Sequence, residues 1–144
     1  MFKRILVPTD GSDITAHAVD TAIQLAKIHG GQLLTLSVME PFPYSAVSEI
    51  QPVPPQEFIE AQQRVASKRV EDVCATAAAQ GMACKGHTVE ALHAWEAIVD
   101  HAKAENVDLI VMASHGRKGL AALLLGSEAQ KVLTHIDLPV LIVK

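Results

Sequence analysis

The sequence predicts an α/β fold: a doubly wound, five-stranded parallel sheet with helices on both faces, as a single domain over residues 1–144. Three observations point there. Short β-rich apolar runs alternate with longer segments whose apolar residues recur at helical spacing, the pattern of strand–helix–strand crossovers. Apolar residues make up 49% of the chain but aromatic ones only 3%, so the core must be aliphatic, which suits helices packed on a parallel sheet. A chain of 144 residues can bury roughly 68–70% of its unfolded surface, enough to need no disulfide staple.

Each element has its own signal. The run KRILVPTD is a first strand ended by Pro8, and Asp10-Gly11-Ser12-Asp13 supplies turn and helix-cap chemistry. Ala16, Val19, Ile23 and Ala26 then share a helical stripe that His29-Gly30-Gly31 closes. QLLTLSVME is a second strand. PFPYSAVSEIQPVPPQ, with five prolines between Pro41 and Pro55, is a loop, because proline blocks both kinds of ladder. A long helix follows from about Pro55 to Gln80, with Ala66, Val70, Val73 and Ala77 on one face and Gly81 as its stop. MACKGHTVE alternates like a strand less buried than the rest. Ala91, Trp95, Ile98, Val99 and Ala102 mark a helix over about residues 91–105, with Trp95 read as core. VDLIVMAS is the most apolar strand and belongs inside the sheet. A last helix carries Ala129, Val132, Leu133 and Ile136, and LPVLIVK is the fifth strand.

The bulk properties exclude several classes. A net charge of −4 argues against a nucleic-acid surface. No apolar run reaches the roughly 18 residues of a membrane helix. The opening MFKRILVPTDGS is too briefly apolar for a signal peptide. Cys74 and Cys84 lack metal-ligand spacing and are expected to be buried thiols in a reducing cytoplasm. The seven histidines offer no i, i+4 pair with a carboxylate partner, and no G-x-S-x-G elbow occurs, so neither a metal nor a nucleophilic enzyme is expected.

The chemistry concentrates in two loops that leave strand ends. In a doubly wound sheet ligands bind beyond the carboxyl ends of the strands, where the strand order reverses. With strands one and four adjacent, in the order 3-2-1-4-5, the loop from Pro8 to Asp13 and the loop from Ala113 to Ser127 face one crevice. Gly116, Gly119 and Gly126 allow φ > 0 and close backbone approach, and Gly126-Ser127 stands at a helix start, where N–H groups and the dipole attract anions. Arg117 and Lys118 add positive charge. These suit a phosphate-bearing ligand, although neither a Walker A loop nor G-x-G-x-x-G is present. Asp10 can accept ribose hydroxyls or hold a divalent ion through water. The same residues also serve plain structural ends: the glycines a turn, Ser127 and Asp10 helix caps.

The segments ILVPTDGSDITAHAV, LLTLSVME, DLIVMASHGRKGLAALLLGS and LPVLIVK together resemble the universal stress protein family along essentially the whole chain. Its ATP-binding members carry G-x2-G-x9-G-[ST]; here the pattern runs Ala113-x2-Gly116-x9-Gly126-Ser127, with alanine at the first position. An alanine forced to positive φ costs about 1 kcal/mol, whereas a site needing only close approach can admit a methyl. The resemblance implies ATP, with magnesium, as ligand. Pro8, Thr9 and Asp10 would line the adenosine end, Val38 would meet adenine through its backbone, and Met112 and Ala113 would lie under the ribose. Gly116, Gly126 and Ser127 would hold the phosphates by N–H and hydroxyl, with Arg117 and Gly119 on the loop between. It also implies a cytoplasmic stress-response or signalling module, with at most slow hydrolysis, and a homodimer joined through strand 139–144. That edge strand is apolar and otherwise unpaired. The alternative is a dimeric interaction protein that binds no nucleotide. A nucleotide-activating enzyme would need a Ser-Gly-Gly-x-Asp-Ser loop, of which TDGSD is a faint echo.

Overall fold

The structure is a computed structural model that describes residues 1–41, 55–116 and 125–144. In chain order its elements are β1 (Arg4–Pro8), α1 (Asp13–His29), β2 (Gln32–Met39), α2 (Gln56–Ala79), β3 (Cys84–Glu90), α3 (Ala94–Ala104), β4 (Leu109–Ala113), α4 (Ser127–His135) and β5 (Val140–Val143). The strands form one sheet in the order β3-β2-β1-β4-β5, and every pairing is parallel. The strand order and the alternation of strand and helix are as the sequence predicts. The proline-rich segment's central residues, 42–54, lie outside the described residues.

Successive strand residues point to opposite faces, and the sequence supplies apolar side chains for both. Ile5, Val7, Leu33, Leu109 and Val111 pack under α1 and α2, against Ala18, Ala22, Val73 and Ala77. Leu6, Leu34, Leu36, Ile110 and Met112 pack under α3 and α4, against Ile98, Val99, Ala102 and Val132. The core is aliphatic on both sides. Trp95 is half-buried against the second cluster, and its ring lies 4.3 Å from that of His135.

Several details differ from the sequence reading: Ala91 precedes α3, which begins at Ala94 with His93 as its N-cap. Ala16 is exposed: α1 buries Thr15, Ala18, Val19, Ala22, Ile23 and Ala26, a stripe one residue out of phase with it. Leu133 is 43% exposed, and Ile136, though buried, has left α4 for extended backbone. Neither cysteine is fully buried. Asp108 ties down the amino-terminal rim by accepting from the N–H groups of Lys3 (2.8 Å) and Arg4 (3.1 Å). The turns after β1 and β4 leave from the opposite, carboxyl rim.

Candidate functional site

β1 carries the chain to the carboxyl rim, and the next residues are fixed by their own polar groups. Thr9 donates its N–H to the Leu36 carbonyl at 2.9 Å, prolonging the β1–β2 ladder and burying its side chain. Its Oγ1 accepts from Gly11 N–H at 3.2 Å. Asp10 Oδ1 accepts from Ser12 N–H at 2.9 Å and from Thr15 Oγ1 at 2.7 Å. Ser12 is the N-cap of α1. Asp10 is therefore a turn residue as the plain structural reading has it, but only one of its carboxylate oxygens makes these bonds.

The second oxygen faces the other loop. A Cβ added to Gly116 would sit 2.9 Å from Asp10 Oδ2. The turns after β1 and β4 thus converge on one rim, with a carboxylate against a glycine backbone. Gly116 itself is exposed.

The β4 loop is pinched at its neck. Ser114 donates its N–H to the Val143 carbonyl at 2.9 Å, extending the ladder onto β5, and accepts the Gly126 N–H on its own carbonyl at 2.7 Å. A Cβ on Gly126 would lie 2.7 Å from that same oxygen. Gly126 has φ −62° and ψ 152°, which any residue adopts, so this glycine is required by close approach. Two parts of the sequence reading change here. The Gly126 N–H is directed at Ser114 and not outward at a ligand, and Gly126 rather than Ser127 is the N-cap of α4, with no side-chain cap bond. Ser127 opens the helix, exposed, and its N–H and those of Glu128 and Ala129 precede the first intrahelical bond, from Gln130 N–H to the Gly126 carbonyl at 3.0 Å.

Pro8 is the last residue of β1 and half-buried. Val38 lies at the end of β2, paired with Val89 and packed on the α3–α4 core. Met112 is 6% exposed, so its side chain belongs to the core and only its backbone reaches the rim. Ala113 ends β4, paired with Val143, and among the described non-glycine residues Asn106 alone has positive φ. Alanine at 113 therefore carries no left-handed strain. Arg117 and Gly119 lie outside the described residues.

The sequence reading missed two participants. Ser114 forms the neck, and Arg69 of α2 lays its side chain over the β1–α1 turn, its Cγ 3.3 Å from where a Cβ of Gly11 would be. Ser114 had a signal, a polar residue between an apolar strand and a glycine; Arg69 had none, since helical phase alone does not say which turn an exposed residue overhangs. A separate cleft of about 320 Å³ lies between β3 and α3, lined by His87, Glu90, Glu96, Asp100 and His101 among others. The His87 and His101 rings stack there at 4.9 Å, and burial, then the His87 charge, lowers the pKa of His101. No group of three metal-ligating side chains converges among the described residues.

Comparison with known proteins bears on this arrangement. The model of the Universal stress protein family matches residues 1–144. The universal stress protein YxiE of Bacillus subtilis is 36% identical over 149 residues, covering 100% of both chains. The solved structure of protein MJ0577, from Methanocaldococcus jannaschii, matches with a TM-score of 0.84 at 29% identity, over 100% of this chain and 96% of that one. Two more distant structures share the fold over 99% of this chain. One is a universal stress protein in complex with cAMP (TM-score 0.73, 24% identity, 97% of that chain), the other the universal stress protein of Archaeoglobus fulgidus in complex with dAMP (TM-score 0.71, 18% identity, 98% of that chain).

Proposed function

Taking as premise that this chain belongs to the universal stress protein family, we propose that it binds ATP, with magnesium, at the rim where the β1–α1 and β4–α4 turns meet. The observation that carries the reading is the approach of Asp10 Oδ2 to the Gly116 backbone, which makes one crevice of two loops far apart in sequence. In this reading Pro8, Thr9 and Asp10 line the adenosine end and Val38 offers backbone to adenine. Met112 and Ala113 pass beneath the ribose. The phosphates lie against Gly116 and the first amides of α4 at Ser127, with Arg117 and Gly119 on the intervening loop. The Gly126 N–H, which donates to the Ser114 carbonyl, is not required to donate to a phosphate. The residues present fit the ligand: an acceptor carboxylate for hydroxyls, backbone without Cβ for close approach, and a helix start for an anion. Beyond the metal, phosphoryl transfer needs a positioned general base or arginine finger, and this reading assigns no residue to either role, so hydrolysis is at most slow.

Calorimetric titration with Mg–ATP tests it. Wild type binds, and Asp10→Ala and Gly126→Ala bind more weakly; unchanged affinity in both variants removes the pocket from consideration. We further propose a single-domain cytoplasmic stress-response module that pairs as a homodimer through residues 139–144. β5 is an edge strand, and Leu141 on it is 40% exposed. Sedimentation should give a dimer for wild type and a monomer for Leu141→Arg; a wild-type monomer refutes the pairing.

A second reading has its own observation. Because the Gly126 N–H already closes the loop neck, the glycine pattern can serve the fold without a nucleotide. Mass spectrometry of small molecules extracted from the purified protein separates the two, adenine nucleotide supporting the first.

A further inference from the structure

The sulfur atoms of Cys74 and Cys84 lie 2.6 Å apart, with Cys74 near the end of α2 and Cys84 opening β3. We propose that these two residues are a peroxide-oxidisable dithiol that closes into an intramolecular disulfide and staples α2 to the edge strand β3. The pair does not depend on the nucleotide site.

Local structure makes the contact. α2 stops at Ala79 and the chain turns through Gly81, at φ 74°, straight into β3. Cys84 pairs with Leu33, which fixes it in the sheet. Two residues on and on the same face, Gly86 presents no side chain to the helix. A Cβ there would stand 3.1 Å from Val70 Cβ and 3.6 Å from Cys74 Sγ, so α2 lies directly on the strand at this level. The two sulfurs are brought together by elements that are themselves held by the core, through Val70, Val73 and Ala77 of α2. A disulfide needs them at about 2.05 Å, a small further approach.

Both thiols are free and only partly buried, within reach of a small oxidant. Burial, and then the hydrogen bond and charge of Cys74, push the Cys84 thiol up. The oxidant is a hydroperoxide. Cys74 sulfur attacks the peroxide oxygen, the O–O bond breaks, the thiol proton goes to the departing alkoxide or hydroxide, and Cys74 becomes a sulfenic acid. Cys84 sulfur then attacks Cys74 sulfur, the S–O bond breaks, and the Cys84 proton leaves with the hydroxide as water. The dithiol has lost two electrons and two protons; the peroxide has become alcohol, or water, plus water. A dithiol reductant reverses it.

The test treats the full chain with hydrogen peroxide, quenches with a thiol alkylator under denaturing conditions, and weighs the intact protein. The expected product has lost the mass of two hydrogens, takes up no alkylator, and recovers two alkylation sites after dithiothreitol. It also melts about 8 °C higher than the reduced form, as expected for closing a loop of ten residues' separation. Cys84→Ser should stop at a Cys74 sulfenic acid, trapped by dimedone. Cys74→Ser should form no disulfide. Two alkylatable thiols after treatment, addition of oxygen atoms without loss of hydrogens, or a disulfide found only between chains would each overturn the proposal.

Discussion

Replacing Gly126 by alanine adds one methyl where a backbone oxygen leaves no room for it. The new carbon would meet the Ser114 carbonyl oxygen at 2.7 Å, against about 3.4 Å for ordinary contact. That oxygen cannot retreat cheaply. Its residue is held to β5 by the bond from Ser114 N–H to the Val143 carbonyl, and it accepts the Gly126 N–H at 2.7 Å. Relief requires moving the loop neck, which lengthens the second bond. Overpacking of this kind costs about 1–3 kcal/mol and a lost backbone bond about 1 kcal/mol, so the variant should lose about 2–4 kcal/mol. For a chain of this size that is a fall of about 6–12 °C in Tm. Gly81→Ala is the control. Gly81 has φ 74° and no atom within 4 Å of an added Cβ, so its cost is dihedral alone, about 1–2 kcal/mol. Urea denaturation of both variants, checked by calorimetric melting, decides the matter. If Gly126→Ala is no more destabilised than Gly81→Ala, close approach at the neck is not what requires glycine there, and the reasoning fails.

Asp10→Asn separates the turn role of Asp10 from the ligand role proposed for it. The amide oxygen can still accept from Ser12 and Thr15, so stability should stay within about 1 kcal/mol of wild type. Mg–ATP affinity should fall about tenfold or more by titration calorimetry, the loss of a charged acceptor. His101 gives a pH dependence of defined sign. Burial and the stacked His87 lower its folded pKa below the ordinary 6.5, and Lys85 acts the same way against the opposing Glu105. The unfolded chain then binds the proton first, so stability should be full above pH 6.5 and fall as the solution is acidified through the lowered value. His101→Gln should flatten that slope in urea titrations between pH 5 and 8, a range that brackets the histidine transition. Glu128 of α4 accepts from Trp95 N–H at 2.8 Å at the start of α3. Glu128→Ala should cost about 1 kcal/mol and shift the emission of Trp95, the single tryptophan, in a fluorescence-monitored unfolding series.

The strands and their order were legible because burial on both faces leaves near-continuous apolar runs, as in Ile5-Leu6-Val7 and Leu109-Ile110-Val111-Met112, and because right-handed crossovers restrict how such runs can be joined. The convergence of the turns after β1 and β4 on one rim was legible for the same topological reason. The bonding there was not. Asp10 followed by Gly11 and Ser12 announces a turn, but not that Oδ1 closes the turn while Oδ2 faces Gly116. Ala16 fell outside the buried stripe because the phase of α1 is set by its packing on β1, β2 and β4, and alanine is compatible with either side. The contact of Cys74 with Cys84 depends on how closely α2 approaches β3, which the bare Gly86 permits but a ten-residue spacing does not reveal.

The glycine pattern acquires a physical meaning that spacing alone could not supply. A glycine in a loop is read first as a dihedral requirement, and on that reading Ala113 is a defect. In the structure Ala113 is an ordinary β residue, laddered to Val143, and Gly126 has a φ open to any residue. What Gly116 and Gly126 share is a neighbour too close for a Cβ: a carboxylate oxygen from the first loop and a carbonyl oxygen from the second loop's own base. The pattern therefore encodes proximity between two backbone segments and one acid side chain, and proximity is what a site for a compact anionic ligand has to build. At position 113 the chain is still in the sheet, where a methyl packs against the α1–α2 core without narrowing that gap. The substitution and the intact remainder of the motif are thus compatible, since they answer to different constraints.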